Sequence, residues 1–273
     1  MSSSPTCEAG KRRSAIFLAP NRCIVYNARG YPPSDVPDSP AAYGWELSVG
    51  DLGAVISGCS ISRAHLVGSS MGAYAALLFG LRHPEKTAAI VAAGAGYGSA
   101  PSDREAWLKK IPVLARALVG RGMHAMAEKM ARDSTRIQLR YKHPKGWREF
   151  VERLKQQSAL GLAHTMSQCQ GLRPPLHDFR DQFSQMTSPV LLAVGDEDAP
   201  ALETNIMLKA TIPSAGLWIC PNTGHAINLE EPAAFNAEVE RFLAAVQRRG
   251  WPRRDVEAKL NRAMEPQLDG AAL

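Results

Sequence analysis

A serine set between glycines is the strongest chemical signal in the sequence, which reads Gly68-Ser69-Ser70-Met71-Gly72. The apolar run His65 to Val67 before it predicts a strand, and the residues after it predict a helix. In that context the motif raises its central serine, Ser70, on a tight turn at the carboxyl edge of a sheet. Ser69 occupies the variable position and is not expected to be exposed in this way. The alternative interpretation is a glycine-rich turn without chemistry.

Two later motifs contain the partners that a serine nucleophile needs. Asp196-Glu197-Asp198 follows the strand predicted at Val190 to Val194, and Gly224-His225 follows the strand predicted at Leu217 to Cys220. A serine hydroxyl is a weak nucleophile until an imidazole accepts its proton, and a carboxylate on the other imidazole nitrogen holds the ring in the right tautomer. We therefore predict a triad with Ser70 as nucleophile, His225 as base and Asp198 as the acid that orients the base.

The choice of acid and base depends on what the neighbouring loops contain. Asp198 lies farther along its loop than Asp196, and the alternative for both is a solvated acidic turn. The loop after the strand predicted at Ala88 to Ala93 reads Gly94-Ala95-Gly96-Tyr97 and has no carboxylate, which favours Asp198. The other histidines are interpreted as structural or surface residues, and they are His65, His83, His124, His143, His164 and His177.

Short apolar runs alternate with helical patterns, which predicts an α/β fold with a mainly parallel sheet covered by helices. The first of five predicted strands is Cys23 to Tyr26, ahead of the four named above. Helices are predicted at Leu52 to Ile56, at Tyr74 to Leu81, at Leu202 to Ala210 and after Pro232. The parallel arrangement would bring the ends of the strands that precede Ser70, Asp198 and His225 to one edge.

The strand signals stop from about Gly96 to Thr187, where four helical patterns predict a cap inserted after the third strand. The first helix is predicted to start at a capping box, Ser102-Asp103-Arg104-Glu105, and to run toward Leu118. The others are predicted at Met123 to Met130, Trp147 to Leu154 and Leu160 to Cys169, and a tail helix at Asp255 to Met264. The predicted boundaries are a flexible N-terminus at 1–13, a core at 14–95 and 188–247, a helical cap at 96–187 and a basic C-terminal tail at 248–273.

Composition narrows the class of protein. An apolar fraction of 45% and a net charge of +6 are ordinary for a soluble globular protein of 273 residues. The basic residues cluster at Lys11 to Arg13 and Arg248 to Arg254, without the aromatic pairing or fold signature of a nucleic-acid binder. The five cysteines are scattered and lack metal-ligand spacing, and no segment is long and apolar enough for a membrane span. These features predict a cytoplasmic protein that acts on a small molecule, with no nucleic-acid or membrane partner.

From Arg22 to Val246 the sequence resembles the α/β-hydrolase superfamily, and particularly its lid-bearing esterase and enol-lactonase-like branch. Besides the triad motifs, the segment Asn27 to Asp35 is similar to the family's D-x-R-G-x-G-x-S loop, with Asn27 where aspartate is usual. Gly224 to Pro232 is similar to the family's histidine loop. The resemblance implies that the backbone N–H of Met71, the residue after the nucleophile, stabilises the oxyanion.

The N-terminal part of the family pattern has no counterpart here. Family members have an N-terminal hairpin, then a strand ending in a His-Gly loop that supplies a second oxyanion donor, and a helix before the strand that corresponds to Cys23 to Tyr26. No His-Gly pair precedes Ser70, and only three residues separate the apolar run Ile16 to Ala19 from Cys23. A parallel crossover needs about a dozen residues, so no helix fits. Since Pro20 has no N–H, Asn21 is the nearest substitute donor.

In the family the missing strand lies between the strands that correspond to Cys23 to Tyr26 and His65 to Val67, and three interpretations of this gap in the sheet stay open. Ser14 to Ala19 fills it as an antiparallel strand, a second copy of the chain completes the sheet in a homo-oligomer, or the chain is a shortened relative with impaired folding.

The function has alternatives as well. The triad and the resemblance predict hydrolysis of a carboxylic ester or lactone of a small, mostly apolar molecule, with no metal or organic cofactor. The alternatives are a non-catalytic binding or assembly protein, and a cofactor-free perhydrolase or carbon–carbon bond hydrolase.

Overall fold

The computed structural model describes residues 22–254, in which four parallel strands form one sheet. The strands are β1 (Ala64–Ser69), β2 (Thr87–Ala93), β3 (Val190–Gly195) and β4 (Ala215–Cys220), and they lie side by side in chain order. Leu66 pairs with Ile90, Ile90 with Val190 and Val190 with Ala215, so all four carboxyl ends lie at one edge. The α/β fold class is confirmed, as are four of the five predicted strands.

Helices cover both faces of the sheet and fill the interval between β2 and β3. A short 3₁₀ turn at Ser134–Arg136 separates the first two helices of that interval. The helices are α1 (Trp45–Gly58), α2 (Met71–Arg82), α3 (Pro101–Ala131), α4 (Ile137–Lys142), α5 (Pro144–Lys155), α6 (Ala159–His164), α7 (Arg180–Ser184), α8 (Ala199–Thr211), α9 (Ile227–Glu230) and α10 (Pro232–Arg249).

Alternation along the strands divides the core between the two faces. On β2, Ile90 packs with the apolar residues of α1, α2 and α8, including Leu77 of α2. Val91, the next residue, packs on the opposite face against Phe235 and Phe242 of α10. Successive side chains of a strand point to opposite faces, and burial of both faces explains the continuous apolar runs of a parallel sheet. This double-sided packing holds the strand ends that carry the site.

The predicted cap helices are present, with one difference at the start. α3 begins at Pro101 with Ala100 as its N-cap, so the predicted capping box at Ser102 is wrong. The helix starts at Pro101 because proline is favoured at the first helical position. The Ser102 hydroxyl donates a hydrogen bond to Glu203 Oε2 at 2.6 Å instead of capping the helix. Gly122, with φ of +73°, interrupts α3 between the two helices predicted there. The apolar side chains of this region form their own cluster, in which Met123 and Met126 are buried.

The strand predicted at Cys23 to Tyr26 is wrong. Residues 22–28 have no regular secondary structure, and Val25 is exposed. Within the described residues β1 pairs with β2 alone and forms an edge of the sheet, where the Val67 side chain is 53% exposed. A strand forms by backbone pairing within a sheet, and the sheet of residues 22–254 consists of β1 to β4 only, so the Cys23 segment is not part of it.

Several predictions lie outside the described residues: the flexible N-terminus, the Ser14 to Ala19 strand and the tail helix at Asp255 to Met264. The core, cap and tail boundaries and the homo-oligomer that would complete the sheet also stay predictions.

Among residues 22–254, no helix is both long enough and apolar enough to span a membrane.

Candidate active site

Ser70 lies on a sharp turn between β1 and α2. Its φ of +55° and ψ of −111° are unusual for a residue with a side chain, and such strain is typical of functional turns. The turn is held by two backbone hydrogen bonds, from Ser70 N to Ala93 O at 2.8 Å and from Tyr74 N to Ser70 O at 3.0 Å. A Cβ at Gly68 would overlap the carbonyl of Gly72, so the motif needs a glycine there for this turn to close.

The residues on either side of Ser70 differ from each other in their potential roles. Met71 is the first residue of α2, so its N–H has no acceptor within the helix and lies at the positive end of the helix dipole. Ser69 is exposed, contrary to the sequence expectation, because β1 has no neighbour on that side within the described residues. Asn21, the predicted second oxyanion donor, lies outside the described residues.

The buried acid of the site is Asp198, at the start of α8. Its side chain is fully buried, with Oδ2 2.8 Å from His225 Nδ1, and its Oδ1 accepts a hydrogen bond from the Tyr97 hydroxyl at 2.7 Å. Asp196 is exposed, and its Oδ1 accepts a hydrogen bond from Thr223 N at 3.0 Å, which lowers the pKa of that carboxyl. The geometry therefore pairs Asp198, and not Asp196, with the imidazole.

His225 is held from three sides. Its backbone N–H donates to Thr135 O at 2.6 Å, and its ring lies 4.4 Å from the Tyr97 ring. The third contact is the Asp198 carboxylate, which accepts from Nδ1. An Nδ1–H that donates to a carboxylate leaves Nε2 with the lone pair, and that nitrogen is the one able to accept a proton.

Ser70 and His225 line the same open cleft, which has a volume of about 240 Å³. Within residues 22–254, no hydrogen bond joins the Ser70 side chain to the His225 side chain. Catalytic hydrogen bonds are often long before substrate binds, so this arrangement is compatible with a serine–histidine pair. The rest of the cleft wall is mostly apolar and comes from the cap and the histidine loop; it contains Ser69, Met130, Arg136, Phe150, Leu154, Ala226, Asn228 and Leu229.

Comparison with known sequences decides the family. The profile of the Alpha/beta hydrolase family matches residues 12–238. The chain belongs to this family. A relative from Bacillus subtilis (strain 168), provisionally named 2-succinyl-6-hydroxy-2,4-cyclohexadiene-1-carboxylate synthase, is 25% identical over 255 residues, which are 87% of this chain and 88% of that protein.

Solved structures of family members share the fold. A thermophilic esterase from Thermogutta terrifontis superposes with a TM-score of 0.74 at 21% identity, over 87% of this chain and 85% of that one. The enol-lactonase from Burkholderia xenovorans LB400 superposes with a TM-score of 0.68 at 22% identity, over 80% and 79% of the two chains. The resemblance to the α/β-hydrolase superfamily is thus confirmed.

Two contributors to the acid–base pair of this α/β hydrolase were missed from the sequence. Tyr97 donates to Asp198, and burial followed by the charge of Asp198 raises the pKa of the phenol, which keeps it a donor. Gly94 has a φ of +60°, and a Cβ there would lie 3.1 Å from His225 Nδ1 and 3.3 Å from Asp198 Oδ2. Both residues belong to the loop after β2, whose lack of a carboxylate was its only part in the sequence prediction. Their position in a loop at the carboxyl edge of the sheet was the sequence signal that could have identified them.

A buried glutamate organises the histidine loop of the hydrolase. Glu230 Oε2 accepts from Gly224 N at 2.6 Å and Oε1 accepts from Ala226 N at 3.0 Å, so one carboxylate holds the backbone on both sides of His225. Burial raises the pKa of Glu230, and the two N–H donors oppose that shift. Sequence reasoning missed this role, although the Glu follows His225 within the family's histidine loop.

Replacing Glu230 with alanine is expected to destabilise the protein and lower its turnover together. Two N–H groups, one buried and one partly buried, would lose their acceptor, at about 1–3 kcal/mol each, so the free energy of unfolding should fall by about 2–6 kcal/mol. Urea denaturation measures this change. Glu231→Ala is the matched control, because Glu231 makes a partly exposed ion pair with Lys142 that is worth at most about 1 kcal/mol. Equal losses in both variants would contradict the role of Glu230.

The described part of the chain has no group of three or more histidine, cysteine, aspartate or glutamate side chains arranged to hold a metal ion. The absence of a metal or organic cofactor stays a prediction.

Proposed function

We propose that the protein is a serine hydrolase that cleaves a carboxylic ester or lactone of a small, mostly apolar molecule through an acyl-enzyme. The observation that carries the proposal is the buried Asp198–His225 pair, with Nδ1 2.8 Å from Oδ2, in a cleft that also contains the strained Ser70 turn. The esterase and enol-lactonase among the structural neighbours support the same reaction class.

In the first step the Ser70 hydroxyl attacks the carbonyl carbon of the substrate while His225 Nε2 accepts its proton. Asp198 stabilises the imidazolium that forms and keeps the ring oriented. The carbonyl oxygen becomes an oxyanion, and the Met71 N–H at the start of α2 is the donor that faces it in this scheme. His225 then returns the proton to the leaving alkoxide, and the acyl group remains bound to Ser70.

In the second step water attacks the acyl carbon, with His225 accepting a proton from the water. Collapse of the second oxyanion releases the carboxylic acid, and Ser70 regains its hydroxyl proton from His225. For a lactone the leaving alkoxide stays attached to the acyl chain, so a single hydroxy acid is released. The apolar wall formed by Phe150, Leu154 and Leu229 suits a hydrocarbon substituent next to the reacting carbon.

A non-catalytic binding protein on the same scaffold is the second candidate. Two observations favour it: the lack of a Ser70–His225 hydrogen bond within residues 22–254, and the position of β1 at an edge of the described sheet. Loss of one oxyanion donor typically lowers turnover by about 10²–10³-fold, so the source of a second donor matters for this choice.

A fluorophosphonate probe tests whether Ser70 is an activated nucleophile. The probe reacts with a serine hydroxyl only when a base activates it, so stoichiometric labelling is expected, with the adduct located on Ser70 by peptide mass spectrometry. His225→Ala should slow labelling at least about 100-fold, in line with the usual contribution of general base catalysis. An unlabelled wild-type protein that also leaves p-nitrophenyl butyrate intact would favour the binding protein.

A further inference from the structure

We propose that Arg136 binds a carboxylate group of the substrate, so that the preferred substrates are acyl compounds with both a reacting ester or lactone and a separate acid group. The inference rests on the proposed function, because that function specifies which bond of the substrate reacts. The recognition of an anion by Arg136 can be tested without turnover.

Among the described residues that line the cleft of Ser70 and His225, Arg136 is the one whose side chain is a permanent cation. The other side chains of that wall are apolar, apart from His225, Asn228 and two serines, and none carries a carboxylate. A guanidinium in such a wall attracts an anion more strongly than it would in bulk water, because the apolar surroundings lower the local dielectric constant.

The charge of Arg136 is not used by an ion pair within the described residues. No carboxylate of residues 22–254 comes within 4.0 Å of its guanidinium, whereas five other arginines of these residues have such a partner, namely Arg29, Arg82, Arg132, Arg153 and Arg241. The nearest acid in sequence is Asp133, three residues earlier, and its Oδ1 accepts from Thr135 N at 3.2 Å and from Thr135 Oγ1 at 2.7 Å. Burial acts against ionisation of Asp133, but these bonds and the Arg136 charge lower the pKa of its carboxyl overall.

The position of Arg136 relative to the catalytic base is built into the fold. It ends the 3₁₀ turn Ser134–Arg136, whose N-cap is Asp133. The preceding residue, Thr135, is buried, and its carbonyl accepts from His225 N at 2.6 Å. A Cβ at Gly224 would overlap the Thr135 carbonyl, so the two segments are in close contact. The hydrogen bond that positions His225 therefore also positions Arg136.

The other charged groups around the cleft leave Arg136 available. Asp198 is buried and already engaged by His225 and Tyr97. Arg136 is half-buried, with its charge close enough to favour ionisation of the Tyr97 hydroxyl that bonds Asp198. A substrate carboxylate at Arg136 would thus lie near the reacting centre, with its apolar chain against Met130 and Phe150. An arginine can hold such a carboxylate with two parallel hydrogen bonds.

The test uses binding to the Ser70→Ala protein, which separates recognition from catalysis. Monomethyl adipate and methyl hexanoate share an acyl chain and differ by one terminal carboxylate, and isothermal titration calorimetry gives the dissociation constant of each. Monomethyl adipate is expected to bind more tightly. Adding Arg136→Met should weaken its binding about tenfold or more, whereas Arg136→Lys should keep part of the preference.

Arg140→Met is the matched control, because it removes the same charge from a nearby arginine that stacks on Trp147 and is not part of the cleft wall. It should leave the dissociation constant of monomethyl adipate unchanged. Unchanged affinity in Arg136→Met, in a variant with wild-type thermal stability, would overturn the proposal, as would an equal loss in Arg140→Met. An Arg136-dependent preference in a chain whose wild type hydrolyses no ester would support the carboxylate site and refute the proposed reaction.

In the wild-type background the same two acyl chains are compared as p-nitrophenyl esters. The ratio of kcat/KM for mono-p-nitrophenyl adipate to that for p-nitrophenyl hexanoate should exceed one and fall about tenfold in Arg136→Met. A ratio that Arg136→Met does not alter would contradict a carboxylate site that acts during turnover.

Discussion

Ser70→Ala is expected to lower kcat for p-nitrophenyl butyrate hydrolysis by about 10⁴-fold or more. Alanine removes the atom that forms the acyl-enzyme, so only attack by water within the cleft remains. The side chain lost is small and half-buried, so the variant should keep its thermal stability. Spectrophotometric initial rates measure the change, and the absence of an initial burst of p-nitrophenol would agree with loss of the acyl-enzyme.

Ser69→Ala is the matched control for this prediction. Ser69 is the neighbouring serine, is exposed and lines the same cleft, but it lies on β1 and not on the strained turn. Its replacement should change kcat by less than about tenfold. Similar rates for wild type and Ser70→Ala would rule out Ser70 as the nucleophile, and a large loss in Ser69→Ala alone would move that role to the adjacent serine.

Asp198→Asn is expected to lower kcat by about 10³–10⁴-fold with little change in stability. The Tyr97 hydroxyl donates to Oδ1, so the amide nitrogen of asparagine would face His225. An N–H directed at Nδ1 favours the imidazole tautomer with the proton on Nε2, and that tautomer cannot accept the Ser70 proton. Steady-state kinetics with p-nitrophenyl butyrate measure the effect, and circular dichroism shows whether the fold is kept.

Asp196→Asn is the matched control from the same loop. Its carboxylate is exposed and accepts a backbone N–H from Thr223, a contact that joins the acid loop to the histidine loop without touching the imidazole. Asparagine can accept the same hydrogen bond through its oxygen, so kcat should fall by less than about tenfold. If Asp196→Asn were as damaging as Asp198→Asn, the assignment of the acid would be wrong.

Much of the candidate site could be predicted because each of its three main residues follows a strand with a strong local pattern. Ser70, Asp198 and His225 lie in the connections after β1, β3 and β4, and the carboxyl ends of parallel strands share an edge. The identity of the contacts beyond these three could not be predicted in this way. Tyr97 and Asp198 are 101 residues apart, and no local pattern encodes a hydrogen bond between them.

The fold was predicted where burial decides it and mispredicted where a neighbouring element decides it. Ala88 to Ala93 is apolar throughout and forms β2, since both of its faces are covered. Cys23 to Tyr26 is equally apolar, but strand formation also needs a place beside another strand, and within residues 22–254 this segment lies outside the sheet of β1 to β4. The capping box at Ser102 failed for a local reason, because Pro101 is the first helical residue and the N-cap is Ala100, two residues before Ser102.

The sequence alone predicted the three main residues of the candidate site, a serine, an acid and a histidine, because each follows a short motif whose strand and turn propensities are local. The tertiary structure decided which acid pairs with the histidine, since only packing buries Asp198 and leaves Asp196 exposed. It also placed Tyr97 against Asp198, the Thr135 carbonyl against the His225 backbone, and Arg136 in the cleft wall. Those contacts join residues distant in sequence, and their formation depends on how the cap and loops pack on the sheet.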